Sequence, residues 1–172
     1  MPSSSFDGYK YIYRHYLRIK AALIKFAMVE PLLDNLDLTD YRMKTLKECL
    51  IIDDDIDDQE IFLMCVDKIS MNVNCRTAKD GVDAISMLTS DTAYIPDYIF
   101  VDVNMPKLNG IACLKLLKGI RRLGNTKIFM YSTTSELSVV KDSQELGADG
   151  FIVKPASTVE LKARLSEIFS GV

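Results

Sequence analysis

Short apolar runs alternate with amphipathic segments along this chain from Lys47 onward, and this alternation limits the possible folds more than any other feature. A short apolar run is typical of a strand buried on both faces, whereas apolar residues three and four apart indicate a helix. The runs are Cys49–Ile52, the weaker Val73–Cys75, Ile99–Val101, Ile128–Met130 and Phe151–Val153. The amphipathic segments are 56–69, 81–90, 110–123, 134–146 and 158–169.

Five strands in strict alternation with five helices predict an α/β fold, because parallel strands are joined by crossover helices. The expected architecture is a doubly wound, five-stranded parallel sheet with helices on both faces. Helix-boundary residues agree with this order. They are the N-cap candidates Asp55, Asp80 and Ser157, the capping box Thr133–Glu136 for the fourth helix, and Gly147 after it.

Composition places the chain among globular proteins and excludes several kinds of site. Of its 172 residues, 48% are apolar and 26% charged, and the net charge of −3 gives no argument for direct nucleic acid binding. The four cysteines form no CxxC pair, which favours reduced core residues of a cytoplasmic protein. A single histidine, His15, argues against a histidine-based triad or a zinc site with several histidines.

Residues 1–45 differ from the rest and are predicted to be a helical extension or linker preceding the main domain, 46–172. Tyr9–Val29 has the spacing of a basic amphipathic helix. It would pack on the main domain or on its copy in a homodimer, while binding to a membrane surface is disfavoured. The segment fits neither a signal peptide nor a transmembrane helix. Translation from Met43 is a further alternative.

Polar residues follow four of the five predicted strands at their carboxyl ends. Asp53, Asp54 and Asp55 follow the first strand and Asp102 the third. Ser132 follows the fourth and Lys154 the fifth. Carboxyl ends of parallel strands share one edge of the sheet, where ligands of doubly wound folds bind. Each residue alone could be a cap or a solvated side chain, but together they favour a functional site.

The chemistry of such a site follows from its charges. Carboxylates brought together repel one another and need a cation, and oxygen ligands suit Mg²⁺, which also binds phosphate oxygens. Lys154 and Ser132 could then contact a phosphate, and Asp102 could attack phosphorus to give an acyl phosphate. No Walker-type or GxGxxG loop occurs, so a nucleotide is not the expected phosphate carrier.

From Thr45 to Ser170 the sequence resembles the receiver domain of two-component response regulators. The resemblance depends on four motifs in combination. They are LIIDDDIDDQE at 50–60, FVDVNMPKLNG at 100–110, YSTT at 131–134 and GADGFIVKPAS at 147–157. It implies a flavodoxin-like sheet with strand order 2-1-3-4-5.

The resemblance also assigns roles to residues of the predicted site. Asp102 resembles the phosphoacceptor, and Asp53 and Asp54 the acidic pair for Mg²⁺, although Asp55 leaves that register ambiguous. The backbone carbonyl of Asn104 would be a further metal ligand. Ser132 and Phe151 match the two switch positions, Asn104 and Thr134 the positions that tune phosphoryl lifetime, and Lys154 the family's lysine. The Lys154–Pro155 bond is expected to be cis.

By resemblance the protein is a stand-alone receiver and a signalling protein rather than an enzyme. A sensor histidine kinase or a histidine phosphotransfer protein would donate the phosphoryl group, and a downstream protein target would read the switch. Two alternatives remain. One is a binding module of the same fold that works without phosphorylation. The other, a small phosphohydrolase using Asp102, is disfavoured because Asn104 stands where a second aspartate would be needed.

Overall fold

The computed structural model describes residues 47–69 and 72–171. The predictions for the N-terminal extension, including its helix, its boundary at residue 45 and the alternative start at Met43, lie outside these residues. Among the residues described, every helix is too short or too polar to serve as a membrane span.

Five parallel strands form one sheet in the order β2-β1-β3-β4-β5, as predicted. Each is somewhat longer than its apolar run, because polar residues continue the hydrogen-bonded ladder at the ends. The strands are β1 (Lys47–Ile52), β2 (Val73–Ala78), β3 (Tyr98–Asp102), β4 (Lys127–Ser132) and β5 (Gly150–Val153). Burial on both faces holds for the central β3, whereas the edge strands β2 and β5 are mostly half-buried.

Five α-helices alternate with the strands. They are α1 (Ile56–Ile69), α2 (Gly81–Ser90), α3 (Gly110–Gly119), α4 (Leu137–Glu145) and α5 (Thr158–Ser170). The predicted third helix was too long: α3 ends at Gly119, and a separate 3₁₀ turn covers Arg121–Leu123. Ile120 between them has an extended backbone, with ψ of 100°, which breaks the helical hydrogen-bond pattern.

Two apolar clusters form the core, one on each face of the sheet. The first packs strand residues such as Leu50 and Val101 against α2 and α3. The second packs the alternate residues, such as Ile51 and Phe100, against α1 and α5. Neighbouring strand residues thus bury their side chains on opposite faces, the expected result for a sheet covered by helices on both sides. The four cysteines are free, in agreement with the sequence.

Three of the four predicted N-caps are present, and one is wrong. Asp55, Asp80 and Ser157 each accept a backbone N–H of the first turn of α1, α2 and α5. The predicted capping box at Thr133–Glu136 does not form, and α4 begins only at Leu137. Instead, the backbone N–H of Thr134 donates to the Ser132 hydroxyl at 3.3 Å, which keeps the chain in a turn after β4.

Candidate functional site

The carboxyl ends of β1 and β3 bring two buried aspartates together. Ile52 pairs with Val101 across the two strands, so Asp53 and Asp102 follow side by side at the same edge of the sheet. Their exposed fractions are only 1% and 4%. Carboxylates this far from water require compensating partners, since burial without them is costly.

Asp54 completes a cluster of three carboxylates. Ligand oxygens of Asp53, Asp54 and Asp102 all lie within 4.8 Å of one another, and Asp54 is the exposed member. Asp55 is not in this cluster, because its carboxylate accepts the N–H groups of Asp57 and Asp58 as the cap of α1. Three hard oxygen donors at this spacing are ligands of the kind that Mg²⁺ binds, and the assignment of Asp53 and Asp54 as the acidic pair stays a prediction.

Lys154, directly after β5, provides the counter-charge. Its Nζ lies 2.8 Å from Asp53 Oδ2 and 3.1 Å from Asp102 Oδ1. A third partner, Asp58 in the first turn of α1, is the nearest, at 2.7 Å. The lysine side chain is 10% exposed. One ammonium group therefore links β1, β3, β5 and α1 at the centre of the site.

For both Lys154 and Asp53, burial shifts the pKa in one direction and ion pairing shifts it in the other. Burial alone would lower the pKa of Lys154, but hydrogen bonds to Asp53 and Asp58 offset it and raise that pKa well above its usual value. At Asp53 burial dominates and raises the pKa of the carboxyl, although the Lys154 ammonium and the Asp55 N–H lower it in part. Pairing outweighs burial at Lys154 because Lys154 has three carboxylate partners. Burial outweighs pairing at Asp53 because Asp53 shares its one ammonium partner with Asp58 and Asp102.

Backbone groups hold both buried carboxylates in place. Asp53 Oδ1 accepts the N–H of Asp55 at 3.0 Å, and Asp102 Oδ2 accepts the N–H of Asn104 at 2.7 Å. The structure thus gives Asn104 a defined contact through its N–H, while its proposed role as a carbonyl ligand stays a prediction. The amide of Gln59 donates to the Asp53 carbonyl at 2.6 Å and fixes the turn into α1.

Sequence reasoning missed two residues of this site, Asp58 and Gln59. Both stand in the acidic stretch after β1, where only the three aspartates nearest the strand were considered. The signal that could have identified them is helical phase. In a helix starting at Ile56, the third and fourth residues can turn back toward the end of the strand that precedes it.

The predicted switch residues lie on the neighbouring strands. Ser132 is fully buried at the end of β4, and its carbonyl accepts the backbone N–H of Lys154 at 2.7 Å. Phe151 on β5 is half-buried and packs against the core cluster that contains α2 and α3. Thr134, which follows β4, is exposed, and its proposed tuning role stays a prediction.

The peptide bond between Lys154 and Pro155 is trans, because no residue in the described ranges has a cis peptide bond. The predicted cis bond is therefore absent. For a bond preceding proline, trans is the lower-energy form by about 0.5–1 kcal/mol, and Lys154 contacts its three carboxylates in this form.

Gly110, the first residue of α3, passes unusually close to the strand that carries Asp102. A Cβ at this position would lie 2.3 Å from the Asp102 carbonyl oxygen and 2.7 Å from Val103 Cα. The N–H of Gly110 also donates to the Val103 carbonyl at 3.0 Å. Only glycine allows the loop after Asp102 to close against its own strand in this way.

Gly110→Ala is therefore expected to lower the free energy of unfolding by about 2 kcal/mol, since backbone atoms must move to admit the methyl group. Urea unfolding would measure the effect. Gly119→Ala is the matched control at the other end of α3, because a Cβ there meets nothing within 4 Å. That control should change stability by no more than about 0.5–1 kcal/mol, in the stabilising direction. Equal losses in the two variants would contradict the steric argument.

Comparison with known proteins identifies the family to which this fold belongs. The family model described as the response regulator receiver domain matches residues 49–166. The chain belongs to the response regulator receiver family. The matched range of this receiver includes the three aspartates of the carboxylate cluster and Lys154.

Two relatives show how the receiver compares in extent. The chemotaxis protein CheY-3 of Vibrio cholerae is 29% identical over 120 residues, which cover 70% of this chain and 89% of that protein. The probable transcriptional regulator ycf27 of Guillardia theta is 30% identical over 129 residues, 75% of this chain and 48% of that protein. The chain thus spans most of the chemotaxis protein's length but about half of the second relative's. The family match and the CheY-3 relative together support a CheY-like receiver domain of two-component signalling.

Solved structures agree with the fold. Chemotaxis protein CheY4 of Vibrio cholerae superposes with a TM-score of 0.64 at 24% identity, over 72% of this chain and 99% of that chain. A CheX-CheY-BeF3-Mg²⁺ complex from Borrelia burgdorferi gives a TM-score of 0.62 at 26% identity, over 76% and 94% of the two chains. The flavodoxin-like order predicted for the receiver is therefore confirmed.

Proposed function

We propose that this receiver is the phosphoacceptor of a two-component or phosphorelay system, with Asp102 as the residue that takes up the phosphoryl group. The observation that supports this most directly is the placement of Asp102 within a cluster of three carboxylates and next to the Lys154 ammonium. Asp53, Asp54 and Asp102 supply oxygen ligands for Mg²⁺, and the Asn104 carbonyl is proposed as a further one. Ser132 and Lys154 are the proposed phosphate contacts.

In the proposed reaction, an Asp102 carboxylate oxygen attacks the phosphorus of a phosphohistidine. The new P–O bond replaces the P–N bond, and the imidazole leaves as the donor's neutral side chain after taking up a proton. Bound Mg²⁺ would offset the negative charge of the transferring group. Lys154 contributes a second positive charge from the residue that follows β5, and the Asn104 N–H holds the carboxylate in position.

The signal would then leave the site through the two switch residues. The phosphoryl dianion on Asp102 would draw the Ser132 hydroxyl toward it, and Phe151 would turn into the space released. This alters the surface formed by α4, β5 and α5. Phe151 lacks a hydroxyl, so its contribution is packing alone. Asn104 and Thr134 are proposed to tune the lifetime of the acyl phosphate.

The partners proposed are a sensor histidine kinase or a histidine phosphotransfer protein as donor, and a downstream protein as target. One structural relative, from Borrelia burgdorferi, is itself a complex of a CheY with a second protein, CheX. That supports a protein target for this receiver as well. A cytoplasmic location and a separate N-terminal region, 1–45, complete the proposal.

Incubation with acetyl phosphate and Mg²⁺ tests this function. The wild-type chain should gain one phosphoryl group, seen by intact mass measurement, and chelation of the metal by EDTA should prevent the gain. A wild-type chain that gains nothing would refute phosphoacceptance and favour the binding module that works without phosphorylation.

The same assay tests the metal ligands. Asp54→Asn should raise the Mg²⁺ concentration needed for half-maximal uptake by about tenfold or more, because one direct oxygen ligand loses its charge. Asp55→Asn is the matched control, since asparagine also caps a helix and Asp55 lies outside the carboxylate cluster. A larger effect at Asp55 than at Asp54 would mean that the register of the acidic pair is wrong.

A further inference from the structure

Asp58 makes the shortest contact of the site lysine, yet nothing in the proposed reaction uses it. Its Oδ2 lies 2.7 Å from Lys154 Nζ, against 2.8 Å for Asp53 and 3.1 Å for Asp102. It lies outside the cluster of Asp53, Asp54 and Asp102 that fits a metal ion. The Asp58 side chain is 35% exposed and stands in the first turn of α1. Among the residues described, its contact with the reacting groups is therefore through Lys154.

The ammonium group of a lysine has only three N–H donors. In the receiver, these donors face three carboxylates, and the bonds to Asp53 and Asp58 meet hydrogen-bond geometry. To bind oxygens of a phosphoryl group on Asp102, Lys154 must give up at least one of these contacts. The Asp102 contact is replaced during the reaction itself, whereas the Asp58 contact continues to hold Nζ toward α1.

The negative charge of Asp58 also opposes the binding of a phosphoryl group by Lys154. Asp53, Asp58 and Asp102 share a single ammonium, and Asp54 adds a fourth carboxylate beside Asp53 and Asp102, so the site is strongly anionic before a dianionic phosphoryl donor arrives. Asp58 adds one negative charge without offering a metal ligand in the cluster. It therefore offsets the positive charge that Lys154 would otherwise present to the transferring group.

We infer that Asp58 is a positioning residue that restrains Lys154 and slows phosphoryl uptake by Asp102. The inference rests on the proposed function, since it concerns the rate of that reaction. Replacing the carboxylate by a neutral amide should leave Lys154 with a weaker bond to α1 and a stronger one to the phosphoryl group.

The experiment compares Asp58→Asn, Asp58→Glu and Asp57→Asn with the wild type. Each is incubated with acetyl phosphate at saturating Mg²⁺, and uptake is followed in time by intact mass. Asp57→Asn is the matched control, because Asp57 is the neighbouring first-turn acid of α1, is exposed, and is not among the ion-pair partners of Lys154 in the described residues. It removes the same charge from the same helix end.

Asp58→Asn should take up the phosphoryl group about fivefold faster than the wild type, and Asp57→Asn less than about twofold faster. The gain should appear in the maximal rate rather than in the acetyl phosphate concentration at half-maximal rate. It should also persist in about 0.5 M salt, where exposed charges are screened. Asp58→Glu keeps the charge and should behave as the wild type does.

The outcomes separate the two proposals. If the wild type gains a phosphoryl group and Asp58→Asn is no faster, the restraint by Asp58 is refuted while the proposed function stands. Equal acceleration in Asp57→Asn refutes it too, because general repulsion would then explain the effect. A purely structural role for Asp58 predicts a lower melting temperature with an unchanged rate. If no variant and no wild type gains a phosphoryl group, the proposed function fails and this inference with it.

Discussion

Asp102→Asn is expected to abolish phosphoryl uptake from acetyl phosphate, so that the intact mass stays that of the unmodified chain. The amide has the shape of the carboxylate but lacks the negative oxygen that must attack phosphorus. It can still accept the N–H of Asn104, which donates to Asp102 Oδ2 at 2.7 Å in the wild type. The fold should therefore survive, and the lost step should be chemical rather than structural.

A matched substitution makes this result specific. Asp142→Asn changes an exposed aspartate of α4 in the same way and should take up one phosphoryl group at the wild-type rate. Circular dichroism of both variants would show retained folding. Uptake by Asp102→Asn equal to that of the wild type would place the acceptor elsewhere and refute the assignment.

Lys154→Met is expected to affect both stability and chemistry. Without the ammonium, the buried carboxylates of Asp53 and Asp102 lose the cationic partner that they have among the described residues, and removal of one partner from a buried pair costs about 3–5 kcal/mol. Urea unfolding in metal-free buffer would measure this loss. Phosphoryl uptake should fall about a hundredfold or more, because one of two positive charges near the transferring group is gone.

Mg²⁺ should stabilise Lys154→Met more than it stabilises the wild type, since the metal would then be the only cation for the carboxylate cluster. Lys141→Met is the control: that lysine side chain is 74% exposed and forms an ion pair with Glu145 in its own helix. Such a surface pair is worth about 0.5 kcal/mol or less. A Lys154→Met variant as stable as this control without metal would contradict the view that Lys154 neutralises the buried acids.

The order of strands and helices could be predicted from sequence because apolar patterning reports burial directly. The convergence of Asp53, Asp102 and Lys154 followed from topology, since parallel strands present their carboxyl ends at one edge. Helix caps with a partner close in sequence could also be predicted, such as Ser157, which accepts the N–H of Glu160.

Features that depend on a choice between alternative hydrogen bonds, or on how a helix is rotated, could not be predicted from the sequence. The capping box predicted at Thr133–Glu136 does not form, and the Thr134 N–H donates to the Ser132 hydroxyl instead. The contact of Asp58 with Lys154 joins side chains 96 residues apart, and it depends on how α1 is rotated above the sheet. A single sequence gives the period of a helix more reliably than its exact rotation.

The position of Lys154 directly after β5 also has a consequence for folding. Its hydrogen bond to Asp53 joins residues 101 apart in sequence, and β5 is an edge strand that reaches the sheet only by pairing with β4. Such long-range contacts form late, after the loop-closure entropy of the intervening chain has been overcome. We therefore expect the acids of β1 and β3 to come together before Lys154 joins them. Phosphoryl uptake should then become possible only in the last stage of folding, so that partly folded chains take up no phosphoryl group.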